Sequence, residues 1–147
     1  MTIFFYNADE PYGALSNFSR YGFMLDGLDW PTSEHYYQAQ KFTNPADFEA
    51  VRQARSAFVA RRMGNDHSRP IRPDWDEIRE EVIWRANYAK FSANPEARAK
   101  LLSTGTEELV EASPYDDFWG QGSNKDGQNR FGKLLMRLRA QLQGAET

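Results

Sequence analysis

The segment from Trp75 to Phe91 constrains the fold of this chain most. At helical spacing, Ile78, Val82, Ala86 and Ala89 form one apolar stripe, and Trp84, Tyr88 and Phe91 form another on the far side. A helix with one apolar stripe can lie on a surface, but one that is apolar on two faces needs neighbours on both. The segment is therefore expected to be central. Its 147-residue chain suits one domain, 1–147, around one core. Lys90 lies near the edge of the first stripe and reads as a core-edge lysine that snorkels to water, or as a candidate amine.

Turn and cap residues divide the rest. Residues 2–6 read as a short strand. Phe23–Leu25 and Leu28–Trp30 flank Asp26-Gly27, the pattern of a tight hairpin. Helices are expected from about Ala46 to Ala54, over Ala57–Met63 with a stop at Gly64-Asn65, and from Asn94-Pro95 through Leu102. Glu108–Glu111 reads as a strand. A last helix from near Arg130 carries Phe131, Leu134, Leu135, Leu138 and Leu142 on one stripe. About six helices and three short strands make a mainly α domain, α+β with a small β-hairpin.

Several function classes are disfavoured. A net charge of −3 is wrong for a sequence-independent DNA binder, which needs cations to displace counterions. Arg61, Arg62, Arg69 and Arg72 form a local basic cluster that could meet a phosphate or touch nucleic acid weakly; a solvated basic loop explains them equally. With no cysteine there is no thiol nucleophile, and the two histidines, His35 and His67, are too few for a zinc site. No apolar run approaches the ~20 residues of a membrane span. The start, MTIFFYNADE, lacks the basic and long apolar regions of a signal peptide, so a cytoplasmic protein is expected.

Two stretches carry chemistry. The first is Trp30–Phe42, WPTSEHYYQAQKF. Pro31, Thr32 and Ser33 mark a helix start, and spacings of three, four and seven put Glu34, Tyr37, Gln38 and Lys41 on one face. That face offers an acid, a phenol, an amide and an amine. Glu34 and Lys41 could equally be surface residues complementing the helix dipole. The aromatics Trp30, Tyr36, Tyr37 and Phe42 instead imply a largely buried helix, where charged groups need partners. The second stretch is 113–129, SPYDDFWGQGSNKDGQN. Its length is that of a functional loop, and Tyr115, Phe118 and Trp119 argue against disorder. Gly120, Gly122 and Gly127 permit close backbone approach. Asp116 and Trp119 suit a stacked ring with a carboxylate at its edge; a turn capped by Asp116 with Trp119 in the core fits too.

These residues together resemble a known family. LSNF, WPTSEHYYQAQKF, Asp116-x-x-Trp119-Gly120-x-Gly122 and GQNRFGKLLMRLR, in that order from Leu15 to Arg139, are similar to the NADAR family, which includes the YbiA-like N-glycosidases. The resemblance implies a mainly helical fold and hydrolysis of N-glycosidic bonds. It implies either ADP-ribose on the guanine amino group of nucleic acid or nucleotides as substrate, or ribosylamino-pyrimidine phosphates of the riboflavin pathway. By motif position it carries over Glu34, Asp116 and Trp119, with Lys41 at a helix lysine.

Both substrates join an anomeric carbon to an exocyclic amine. Such a glycosylamine can open to an imine, which a neutral lysine could capture before water releases the sugar. The expected roles are Lys41 as nucleophile with Lys90 as second choice, Glu34 as acid–base and Asp116 as orienting group. Trp119, Tyr37 and Gly120 would line the substrate site. Asn17 of LSNF would contact ribose or phosphate, or close an Asx-type turn. A direct-water route would instead use Glu34 and Asp116 as a carboxylate pair. A module that reads ADP-ribose without cutting it, or a protein-interaction domain, remains an alternative. No metal, cofactor or membrane is implied, and nothing in the pattern specifies an oligomer.

Overall fold

The computed structural model describes residues 1–145. The architecture is α+β and mainly helical, with six α-helices and four short strands among the described residues. Two compact units divide the chain, residues 17–94 and residues 1–16 with 95–145.

In the unit of residues 17–94, strands β2 (Phe23–Leu25) and β3 (Leu28–Trp30) pair antiparallel, with Phe23 opposite Trp30. Asp26 and Gly27 both take positive φ, 55° and 79°, as the tight hairpin expected from the sequence requires. The chain then enters α1 (Ser33–Ala39), all seven residues of which are buried. Helices α2 (Pro45–Arg52), α3 (Ala57–Gly64) and α4 (Trp75–Ala93) pack around it. Side-chain caps start three of these helices: Thr32 accepts from the His35 N–H, Asn44 from those of Ala46 and Asp47, and Ser56 from that of Val59. Each such cap is worth about 1 kcal/mol. Trp30 meets Tyr36 and Phe48 edge to face at 5.0 and 5.6 Å, and its indole N–H donates to the Leu25 carbonyl. The Tyr36 hydroxyl donates to Asp26, which also pairs with Arg85 of α4.

Two expectations need correction. The second apolar stripe of α4 is buried only at Phe91: Tyr88 is exposed, Trp84 is half-buried, and those two rings lean on one another. The buried face is a single one, Val82, Ile83, Ala86, Asn87, Lys90 and Phe91. Polar residues occupy two of its positions, which is why the apolar pattern misplaced it. Lys90 consequently does not snorkel; its side chain is wholly buried, 0% exposed.

In the other unit, β1 (Thr2–Phe5) and β4 (Glu108–Glu111) pair in parallel, Ile3 opposite Leu109 and Phe5 opposite Glu111. Helix α6 (Arg130–Ala145) packs on β4, and α5 (Pro95–Ser103) packs on α6. Phe131, Leu134, Leu135 and Leu138 are buried as the terminal stripe predicts. Each fully buried side chain of this kind contributes roughly 1.5–3 kcal/mol. Asn129 stands in for a neighbouring strand: its side chain accepts from the Glu111 N–H and donates to the Leu109 carbonyl. No described helix is long and apolar enough to cross a membrane.

Candidate active site

Glu34 sits in the first turn of α1 and is 2% exposed. Its Oε2 accepts from Gln38 Nε2 at 2.7 Å, one helical turn on, and from Arg61 Nε at 3.1 Å; Arg61 Nη2 approaches Oε1 at 3.5 Å. The Arg61 guanidinium lies over the Phe18 ring, 4.4 Å from its centroid. A buried carboxylate needs partners of this kind. They come from Gln38 on the same helix and from Arg61 on α3, 27 residues away, and not from Lys41.

Lys41 lies past the end of α1, which stops at Ala39 rather than running to Phe42. The Lys41 and Phe42 N–H groups bond to the Gln38 and Ala39 carbonyls, three residues back, so the chain tightens as it leaves the helix. Lys41 is 8% exposed, and its Nζ donates to the Gly64 carbonyl at 3.3 Å and to Asn65 Oδ1 at 3.2 Å. It stands 5.9 Å from the Tyr37 ring centroid and 5.8 Å from that of Trp75. Burial holds its amine below the ordinary lysine range; Glu34 opposes that shift, while Arg61 and Arg79 add to it. Tyr37 is buried edge-on to Trp75, 5.0 Å between centroids, and so forms a wall of the lysine's surroundings.

The close approach of α3 to α1 has a local cause. A Cβ on Gly64 would collide with the Gln38 side chain. Glycine there lets α3 deliver Arg61, the Gly64 carbonyl and Asn65 to Glu34 and Lys41. Sequence reading placed Arg61 in a basic cluster and gave Asn65 only a stop signal. The remaining cluster members go elsewhere: Arg69 pairs with Asp47 at 2.7 Å, Arg72 with Asp74 at 2.7 Å, and Arg62 is exposed.

Asn17 makes no Asx-type turn. Its Oδ1 accepts from Ser33 Oγ at 2.7 Å and Asn87 Nδ2 at 3.0 Å, and its carbonyl accepts from the Glu34 N–H at 3.1 Å. It therefore anchors the first turn of α1, satisfying a donor that a helix start leaves open. Next to Glu34, His35 is buried and its ring nitrogens bond Thr32 and the Ala54 carbonyl. A carbonyl only accepts, so Nε2 carries the proton and Nδ1 accepts from the Thr32 hydroxyl. Burial lowers its proton affinity, consistent with a structural imidazole.

The residues 113–129 form an ordered loop. Asp116 Oδ1 accepts from the Phe118 and Trp119 N–H groups at 2.9 and 2.8 Å, the capping role that the sequence allowed. Its other oxygen accepts no hydrogen bond among the described residues. Trp119 is half-buried and meets Phe118 edge to face at 4.7 Å, with its carbonyl accepting from Phe131. Gly120 is buried where a Cβ would strike Glu111, so it serves close backbone packing. Lys90 has no exposed surface through which to meet a substrate; burial pushes its amine down to about 7. Among the described residues, no group of three or more acidic, histidine or cysteine side chains could hold a metal ion.

Known proteins are similar to this chain in sequence and in fold. N-glycosidase YbiA of Escherichia coli (strain K12) is 46% identical over 138 residues, which cover 94% of this chain and 86% of that protein. The riboflavin biosynthesis protein PYRR, chloroplastic, of Zea mays is 40% identical over 157 residues, 97% of this chain and 25% of that protein. The NMR structure of the E. coli protein YbiA matches with a TM-score of 0.90 at 45% identity, covering 99% of this chain and 86% of that one. The NADAR domain model matches residues 4–143. On sequence and on fold alike, the chain belongs to the NADAR domain family.

Proposed function

We propose that the protein is a hydrolase of N-glycosidic bonds in which the anomeric carbon carries an exocyclic amine, and that it removes ADP-ribose from the guanine amino group. One observation carries the reading. Glu34 and Lys41 are both buried and close enough to influence each other electrostatically, yet each is held by other groups. A structural salt bridge would join them and consume the amine. Here burial lowers the proton affinity of Lys41, the direction that favours the neutral amine a nucleophile needs.

In this reading the ribosyl ring opens to an imine, and Lys41 Nζ adds to C1. The exocyclic amine leaves as its C–N bond breaks, taking a proton delivered through Glu34. The resulting Schiff base adds water, which Glu34 deprotonates, and the free sugar departs with the lysine restored. In the unit of residues 1–16 and 95–145, Asp116 keeps a second oxygen and Trp119 a ring face of the kind that suits a sugar or a base.

A second substrate has its own support. The relatives named N-glycosidase and riboflavin biosynthesis protein favour ribosylamino-pyrimidine phosphates, which contain the same glycosylamine bond. The test is release of ADP-ribose from guanosine-linked ADP-ribose, followed by chromatography beside Glu34→Ala. Multiple turnovers lost in the variant support the first substrate. No release moves the assay to the pyrimidine phosphates. Binding of ADP-ribose with turnover of neither would leave a reader module.

A further inference from the structure

The Lys41 amine is held by two oxygens from one turn of chain. Its Nζ donates to the Gly64 carbonyl at 3.3 Å and to Asn65 Oδ1 at 3.2 Å, both at the point where α3 ends. The Asn65 N–H bonds back to the Arg61 carbonyl at 3.0 Å, and that of Asp66 to the Met63 carbonyl at 3.2 Å, so the backbone that carries the two oxygens is itself anchored. The Gly64 carbonyl lies in the last turn, where a helix leaves acceptors open. The Asn65 side chain adds a second acceptor of a different kind.

The chemistry of that second acceptor is specific. Asn65 and Asp66 are neighbours, and the carboxylate of the pair is turned away: it accepts from the Ser68 N–H and hydroxyl and pairs with Arg69. The amide faces the lysine. A carboxylate there would favour the ammonium, whereas an amide oxygen accepts an N–H bond without adding a charge. The charged groups that act on the amine are Glu34 of α1, which favours the ammonium, and Arg61 of α3 and Arg79 of α4, which oppose it. Unlike Lys90, which is 0% exposed, Lys41 keeps some surface open to solvent.

A neutral amine has two N–H bonds and one lone pair. On an unheld lysine the head group turns about Cε–Nζ, and the lone pair has no fixed direction. With one N–H given to each of two anchored oxygens that rotation stops, and the lone pair takes the direction that remains. Orientation of this kind removes part of a barrier before the reaction begins.

We propose that Asn65 is the positioning residue of Lys41: with the Gly64 carbonyl it takes both N–H bonds of the neutral amine and so fixes the lone pair for attack on the anomeric carbon. The proposal deepens the glycosidase reading and rests on it for the role of Lys41.

The test compares Asn65→Asp and Asn65→Ala with wild type, all as the full chain. It follows kcat and KM against pH on guanosine-linked ADP-ribose or the ribosylamino-pyrimidine phosphate, beside an NMR titration of the Lys41 side chain. Asn65→Asp keeps the oxygen and adds a charge. The rising limb of its kcat profile should move up by about one pH unit or more, the effect of an opposite charge at this range. Above the moved limb kcat should return to near wild type, because the carboxylate still accepts the N–H bond. Asn65→Ala keeps neither property; its kcat should fall roughly five- to tenfold at every pH, the scale of one hydrogen bond, with KM within about a factor of two. A residue that served only the fold would change the melting temperature and leave both the limb and kcat in place. An unmoved limb in Asn65→Asp, or wild-type kcat in Asn65→Ala, would overturn the proposal. Release of sugar from neither substrate by wild type would remove the glycosidase reading, and the NMR titration then decides alone. An upward shift of the Lys41 midpoint in Asn65→Asp would retain Asn65 as the group that holds the amine, and no shift would discard it.

Discussion

The two stretches that carry the family motifs hold their acids in opposite ways. In residues 33–41 other groups hold the candidate acid and amine: Gln38 of the same helix and the distant Arg61 and Asn17 converge on Glu34 or its N–H, and Gly64 and Asn65 on Lys41. In residues 113–129 the acid does the holding, since Asp116 spends one oxygen on the Phe118 and Trp119 N–H groups. Glu34 is thus a supported group and Asp116 a supporting one. Supported groups can change charge during a reaction without loss of fold. A supporting group cannot be removed so cleanly, and substitutions separate the two.

The largest effect is expected at Glu34. Glu34→Gln keeps the shape and the Gln38 contact but loses the proton carrier, and should lower kcat by ~10²–10⁴-fold. Its melting temperature should stay close to wild type, because half-exposed Arg61 regains water. Unaltered kcat would end the acid–base assignment.

Lys41→Met should abolish a covalent sugar adduct trapped by borohydride during turnover, with a loss of kcat comparable to that of Glu34→Gln. The wild-type pH profile has a definite sign. If the proposed neutral amine acts, kcat rises with pH until it passes the lowered value of Lys41, and then levels. An adduct that survives in Lys41→Met would transfer the nucleophile elsewhere.

Asp116 should respond to two substitutions differently. Asp116→Asn retains an oxygen for the Phe118 and Trp119 N–H groups, so stability should hold while kcat/KM falls about tenfold for want of the charge. Asp116→Ala loses the cap as well and should cost a further ~1 kcal/mol of stability. Equal stability of the two variants, measured by urea unfolding, would remove the supporting role.

The contrast also explains which parts were legible in the sequence. The hairpin at Asp26-Gly27, the start of α1 at Thr32 and the stripe of α6 follow from local rules, and the chain obeys them. What sequence reading missed are pairings across distance. The β1–β4 ladder joins Thr2 to Glu108, Arg61 reaches Glu34 across 27 residues, and Asn129 imitates a strand edge. No periodicity records such choices, because tertiary packing makes them. Likewise Glu34, Lys41, Asp116 and Trp119 stand out by pattern and resemblance, while nothing in the sequence assigns Arg61 to Glu34 or Asn65 to Lys41. Neither changes the local chain, and only the fold brings them to α1.

Lys90 tests the same point at the smallest scale in activity. It belongs to neither stretch, and the apolar pattern put it at an edge where it could reach water; the actual face of α4 buries it. Burial lowers its amine to about 7 from the ordinary lysine value of 10.5. Between those values the unfolded chain binds more protons than the folded one, so stability rises with pH across that window and is least below it. Lys90→Met, of similar length and without charge, should flatten this dependence and raise the melting temperature at pH 7, leaving turnover within a factor of about two of wild type. A buried amine that served the reaction would instead show as turnover lost in Lys90→Met, whatever happens to the stability profile.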